Sequence, residues 1–130
     1  IGLRPGGLFL FDVHTPRQLA AYAEAQPFVL DDSDIAYIWT CDYDGERNEI
    51  EHQLTIFAAA DPLTPTSRGK RSESGLYRRI EETHIQRAYD LDWLERQLRR
   101  AGFGELACYA DFSFQRPDAG TQRAFFVARR

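Results

Sequence analysis

The sequence predicts an α/β chain that is locally α+β. Three observations predict it. An uninterrupted apolar run, Leu8-Phe9-Leu10-Phe11, follows a glycine turn and leads straight into a helix-start signal. The hydrophobic period then changes to two between Ile35 and Tyr89. The chain closes on an amphipathic helix followed by two short strands with a turn between them.

Leu3-Arg4-Pro5-Gly6-Gly7 reads as a turn, and Leu8 to Val13 is apolar on both faces until Asp12. That pattern fits a strand buried on both sides, as in a parallel sheet. Asp12 and His14 fall where this strand ends. Thr15-Pro16-Arg17-Gln18 then starts a helix: Thr15 caps, Pro16 suits the first helical position and Gln18 completes a capping box. The helix is expected to reach about Ala25, because Gln26-Pro27 stops it. Ile35 to Tyr43 and Glu49 to Phe57 flank Asp44-Gly45, a two-residue hairpin signal. A third extended stretch runs from Tyr77 to Tyr89, and the three together predict an antiparallel meander. Residues 58–75 are rich in Pro, Thr, Ser, Gly and basic side chains and read as a long exposed loop. Asp90 or Asp92 caps a helix carrying Leu91, Leu94, Leu98 and Ala101 on one stripe, and Gly102 ends it. Gly104 to Phe114 and Arg123 to Arg129 follow as strands around the turn 116–120. The expected organisation is a single partial domain with parts 1–26, 35–89 and 90–130.

Composition narrows the function classes. The chain has 130 residues, 43% of them apolar, which suits one domain with a real core and excludes disorder. A net charge of −4, from 16 basic and 20 acidic residues, gives no basic face, so no nucleic-acid partner is expected. No apolar run approaches the roughly 18 residues of a membrane span, so no membrane is expected. Cys41 and Cys108 lie far apart and are expected to be free buried thiols in a reducing compartment, the cytoplasm. The chain has no methionine and opens on a turn, which suggests a piece of a larger domain.

Several motifs carry a family resemblance. The Leu3-Arg4-Pro5-Gly6-Gly7 turn and its strand resemble the approach to the fifth strand of class I S-adenosylmethionine-dependent methyltransferases. The helix ending in Arg100-Ala101-Gly102-Phe103, with the strand, turn and strand after it, is similar to that fold's last helix and its antiparallel sixth and seventh strands. Phe11-Asp12-Val13, Ile38-Trp39, Tyr43-Asp44, His52-Gln53-Leu54-Thr55-Ile56-Phe57 and Glu82-Thr83-His84-Ile85-Gln86-Arg87-Ala88-Tyr89 resemble one bacterial subgroup. In that subgroup an antiparallel insertion after the fifth strand forms a lid over the substrate pocket. The resemblance covers essentially the whole chain and implies the C-terminal half of a Rossmann-like methyltransferase fold. It implies S-adenosylmethionine as cofactor of a full-length parent, with a small-molecule methyl acceptor. The family holds its cofactor on a glycine-rich loop after the first strand and an acidic residue after the second. Neither segment is in this sequence, so no cofactor-binding residue is expected here, and the chain alone is expected to be inactive. The Leu8–Val13 strand would then lack its usual neighbour, so self-association through it is expected. Two other readings stay open: a small non-catalytic α+β module that binds a ligand or protein, and a different full enzyme acting through His52 and His84.

The candidate site follows from strand spacing. Glu82 and His84 lie two apart on one predicted strand and so face one side. If the strands bracket the long loop symmetrically, His52 falls opposite His84. A tight Asp44-Gly45 hairpin likewise puts Tyr37 near His52. The expected result is Tyr37, His52, His84 and Glu82 on one face, lining an acceptor, with a histidine as base. The plain alternative is ordinary cross-strand pairing on a solvated face. A zinc site from His52, His84 and Glu82 is disfavoured by the lack of closely spaced Cys and His. Asp12 and His14 end a strand where open α/β sheets hold ligands; the alternatives are a helix-capping carboxylate and a surface histidine. Arg87, with Arg78, could steer an anionic acceptor or form a salt-bridged edge. Trp39 and Trp93 are expected in the core.

Overall fold

The computed structural model describes residues 2–60 and 75–130. In chain order its elements are β1 (Leu8–His14), α1 (Pro16–Ala25), β2 (Phe28–Asp31), β3 (Ile35–Asp44), β4 (Glu49–Ala59), β5 (Tyr77–Arg87), α2 (Leu91–Arg100), β6 (Glu105–Ala110) and β7 (Arg123–Arg129). The described residues fall into two compact units. One comprises Ile1–Ala21, Asp44–Glu49 and Arg87–Arg130; the other comprises Tyr22–Tyr43 and Ile50–Gln86.

The first unit is built on a three-stranded antiparallel sheet in the order β1-β7-β6. Leu8 pairs with Arg129 and His14 with Arg123 along β1, and Glu105 pairs with Arg129 along β6. One face of this sheet packs a core of Leu98, Ala124, Phe126 and Ala128, joined by Phe11, Val13, Leu91, Leu94 and Phe103. The expected leucine stripe of α2 thus meets the sheet. Asp90 caps α2 by accepting the Trp93 N–H at 3.0 Å. At its other end Gly102, at φ 96°, and Phe103 donate back to Arg99 O and Leu98 O, a left-handed stop that glycine adopts without strain. Thr15 begins α1, but its hydroxyl donates to Thr121 O at 2.6 Å, and its N–H donates to Gln122 O rather than joining a reciprocal box with Gln18.

Two expectations for this unit need correction. The Leu8–Val13 strand is not buried on both sides: Leu8, Phe9 and Leu10 are exposed, because β7 is its one strand neighbour among the described residues. The strand predicted through Phe114 ends at Ala110, because Asp111 and Phe112 turn left-handed at φ 44° and 57°.

The second unit is a four-stranded sheet in the order β2-β3-β4-β5. It contains the expected meander and one further strand, β2, whose Phe28 pairs with Trp39 and Leu30 with Tyr37. The Asp44-Gly45 signal marks the correct hairpin but the wrong loop. Four residues, 45–48, connect β3 to β4, and Asp44 Oδ1 accepts the N–H groups of Glu46 and Arg47. Asn48 follows at φ 51°. Of the long loop read at 58–75, residues 61–74 lie outside the described residues. β4 continues through Ala59, and Ala60 N–H donates to Leu76 O.

Candidate functional site

Strand alternation puts Tyr37, Trp39 and Cys41 of β3 on one sheet face. His52 of β4 joins them. The Trp39 indole N–H donates to His52 Nδ1 at 3.0 Å, and the Cys41 sulfur lies 3.3 Å from the same nitrogen. On β5, Gln86 Oε1 lies 3.3 Å from His52 Nε2, so alternate residues Glu82 and His84 share that face. Backbone bonds from Ala88 to Asn48 and from Ala60 to Leu76 bracket β4 and β5. Counting inward equally from both ends sets His52 across from His84. Tyr37, His52, Glu82 and His84 therefore lie on one face, although they do not form one cluster.

The contacts within that face differ from those expected. The longer hairpin loop puts Cys41, not Tyr37, beside His52. The slip is four residues, an even number, so the face is preserved while the partner changes. Tyr37 pairs with Leu30 instead. His84 meets Glu82, Nε2 to Oε2 at 3.0 Å, and both stay substantially exposed, at 62% and 48%.

His52 and His84 thus have different chemistry. An indole nitrogen only donates, so His52 Nδ1 accepts and Nε2 carries the proton toward Gln86. Tyr22 packs edge-on against the imidazole at 5.4 Å, and Phe28 lies 4.5 Å from Trp39. Cys41 N–H donates to Gln26 Oε1 at 2.7 Å. Burial pushes the Cys41 thiol up, and the Asp42 charge adds to this against the Trp39 hydrogen bond. A protonated thiol is a poor nucleophile. His52 is therefore a buried ring with both nitrogens engaged. His84 leaves Nδ1 without a hydrogen bond among the described residues, while Glu82 orients the ring through Nε2. A neutral ring held this way presents Nδ1 as an acceptor to solvent.

The chain is 34% identical over 128 residues to a protein of Geobacillus sp. (strain WCH70), and 30% identical over 128 residues to YqeM of Bacillus subtilis (strain 168). Both carry provisional methyltransferase names. Each match covers 98% of this chain and 47% of the relative, so the chain spans about half the length of the curated relatives it matches. No family model matches. A crystal structure of an S-adenosylmethionine-dependent methyltransferase from Clostridium acetobutylicum ATCC 824 matches with a TM-score of 0.74 at 21% identity, over 98% of this chain and 46% of that one. The CcbJ methyltransferase from Streptomyces caelestis matches with a TM-score of 0.60 at 16% identity, over 98% and 48%. The chain has the fold of the C-terminal part of a methyltransferase.

The methyltransferase cofactor does not fit the strand ends present. Among the described residues the strand-to-helix junctions are β1 to α1, through Thr15, and β5 to α2, through residues 88–90. Neither contains a glycine, and Thr15 and Asp90 direct their side chains to capping and to the neighbouring loop. No backbone cradle for S-adenosylmethionine is formed there.

The candidates Asp12, His14 and Arg87 belong to the first unit. Asp12 does not cap α1; its carboxylate pairs with Arg123, and Thr15 takes the capping position. His14 ends β1 opposite Arg123. Arg87 bonds Glu49 at 2.7 Å, a contact that holds its guanidinium above the usual value. Its odd position on β5 points it away from the His84 face. Arg78 makes no ion pair among the described residues, and no three His, Cys, Asp or Glu there are arranged around a metal position. Sequence reasoning missed the contacts of Trp39, Cys41 and Gln86 with His52. Their parity with Tyr37 and His84 was the available signal.

Proposed function

We propose that this chain is the acceptor-side and lid portion of an S-adenosylmethionine-dependent methyltransferase, acting within a longer protein that binds the cofactor. The observation that carries this reading is the polar and aromatic lid face of Tyr37, Trp39, Glu82 and His84 in a chain matching methyltransferases along nearly its whole length. Methyl transfer asks the protein to position an acceptor and, where the acceptor carries a proton, to remove it. His84 Nδ1 is the base, Glu82 holds it in place, and Tyr37 contacts the acceptor. His52 positions Trp39 and touches no substrate. Asp12 and Arg87 keep their charges on Arg123 and Glu49 and do not contact the acceptor. The acceptor is a small molecule rather than a nucleic acid, in keeping with the net charge of −4. Two free thiols, Cys41 and Cys108, support a cytoplasmic setting.

The test is a chimera in which this chain replaces the matching half of the Bacillus subtilis relative. Calorimetry should detect S-adenosylmethionine binding by the chimera and none by the chain alone. Binding by the isolated chain would refute the division of labour. A folded chimera that never binds cofactor would favour the alternative, a non-catalytic binding module.

A further inference from the structure

The two faces of the β2-β3-β4-β5 sheet carry their charges differently. Arg87 pairs with Glu49, Ala60 N–H donates to Leu76 O, and Ala59 N–H donates to Asp34 O. Counting along the strands from these contacts sets Tyr37, Ile56 and Ile80 in one row. Ala58 and Arg78 stand opposite each other in the next row, and both rows lie on the His84 face. On the other face charged groups meet partners: Arg87 bonds Glu49, Arg79 bonds Glu81 at 2.8 Å, and Asp42 accepts from Gln53 at 3.3 Å. The His84 face has two ionic strand residues among those described. Glu82 holds His84. The Arg78 guanidinium has no ion pair or hydrogen bond among the described residues. Arg78 and Glu82 are separated by about 13 Å along the strand, with Ile80 between them, so they do not pair. Leu54 and Ile56 are half-buried beside this gap, and Ile80 is exposed.

We propose that Arg78 binds a terminal oxyanion, carboxylate or phosphate, of the methyl acceptor. The acceptor then lies along the sheet, with its anion at Arg78, an apolar body over Ile56 and Ile80, and its reacting atom at His84. This rests on the acceptor-side reading above and adds the class of substrate, an elongated amphipathic anion. Three features support it. A guanidinium is planar and weakly hydrated, and its fork matches an oxyanion better than it matches water. In a chain of net charge −4 an anion is attracted only where a local cation stands unneutralised, and on this face that is Arg78. Arg78 and His84 are on the order of 20 Å apart along the strand, and apolar side chains fill the interval, so one molecule reaches both only if it is long and apolar in its middle.

Side-chain NMR titration of the whole chain tests this with ω-hydroxydodecanoate, dodecyl phosphate and the methyl ester of the hydroxy acid, which keeps the apolar chain without the charge. At least one anion should shift Ile56, Ile80 and His84 but not Ile38 and Ile85, which lie on the other face. The ester should bind about tenfold more weakly than that anion. Comparing the two anions shows whether Arg78 takes carboxylate or phosphate. Arg78→Gln should weaken anion binding to the level of the ester, whereas Arg79→Gln should leave it unchanged. Both side chains are exposed, so both variants should keep the wild-type circular dichroism. Absence of the Ile56, Ile80 and His84 shifts with either anion, equal binding of the ester, or wild-type affinity in Arg78→Gln would each overturn the proposal. None of these readouts involves S-adenosylmethionine. A chimera that fails to bind the cofactor therefore counts against the methyltransferase reading, and loss of the Arg78 effect counts against the anion site.

Discussion

His52 Nδ1 accepts the Trp39 indole N–H at 3.0 Å, a bond that a phenyl ring cannot supply. Trp39→Phe keeps an aromatic ring against Phe28 but removes the donor, and should cost about 1–2 kcal/mol in urea unfolding. The neighbouring thiol gives a pH signature. In the unfolded chain Cys41 ionises near roughly pH 8.5, whereas burial holds the folded thiol higher. As pH rises between those values, the unfolded state loses its proton and the folded state keeps it, so stability must fall. The urea midpoint should therefore drop on the alkaline side, and Cys41→Ala should reduce that decline; Cys108, also raised mainly by burial, acts in the same direction. For catalysis, His84→Gln in the chimera should lower kcat by on the order of 10²–10⁴-fold with little change in cofactor affinity. An unchanged kcat would remove His84 as the base. Period-two spacing made the common face of Tyr37, His52, Glu82 and His84 legible. Spacing alone does not give contact partners, which depend on a loop length that Asp44-Gly45 understated.

The turn after β6 shows what an element can conceal. Asp111 and Phe112 adopt left-handed φ angles that side chains rarely accept. Asp111 Oδ1 holds them there by accepting the N–H groups of Gln122 and Arg123 at 3.1 and 2.8 Å. Asp111→Ala removes the acceptor of both bonds while keeping the strained backbone, and should destabilise the protein by roughly 2 kcal/mol, read as a lowered Tm. Leaving Tm unmoved would show that the turn is held by other bonds. The sequence around 111–114 alternates like a strand, so this break was invisible. β2 was missed for the opposite reason: Phe28-Val29-Leu30-Asp31 follows a proline and is too short to display a period. Helix ends were legible, because Asp90, Gly102 and Thr15 are chemical signals rather than patterns.

Across the whole molecule, motif order identified the fold better than composition did. The same apolar run that marked β1 as a sheet strand does not fix its burial, which also needs segments packed on both faces; Leu8, Phe9 and Leu10 are exposed.

The Trp39–His52–Cys41 contact also has an optical consequence. Thiol and imidazole groups deactivate an excited indole by electron or proton transfer at short range, and Trp39 hydrogen-bonds both His52 and Cys41. Trp93 stacks on Tyr89 instead, at 5.0 Å. Replacing Trp93 with phenylalanine should leave a dim native chromophore that brightens when the four-stranded sheet unfolds. The light emitted would then report on that sheet alone, without any attached dye.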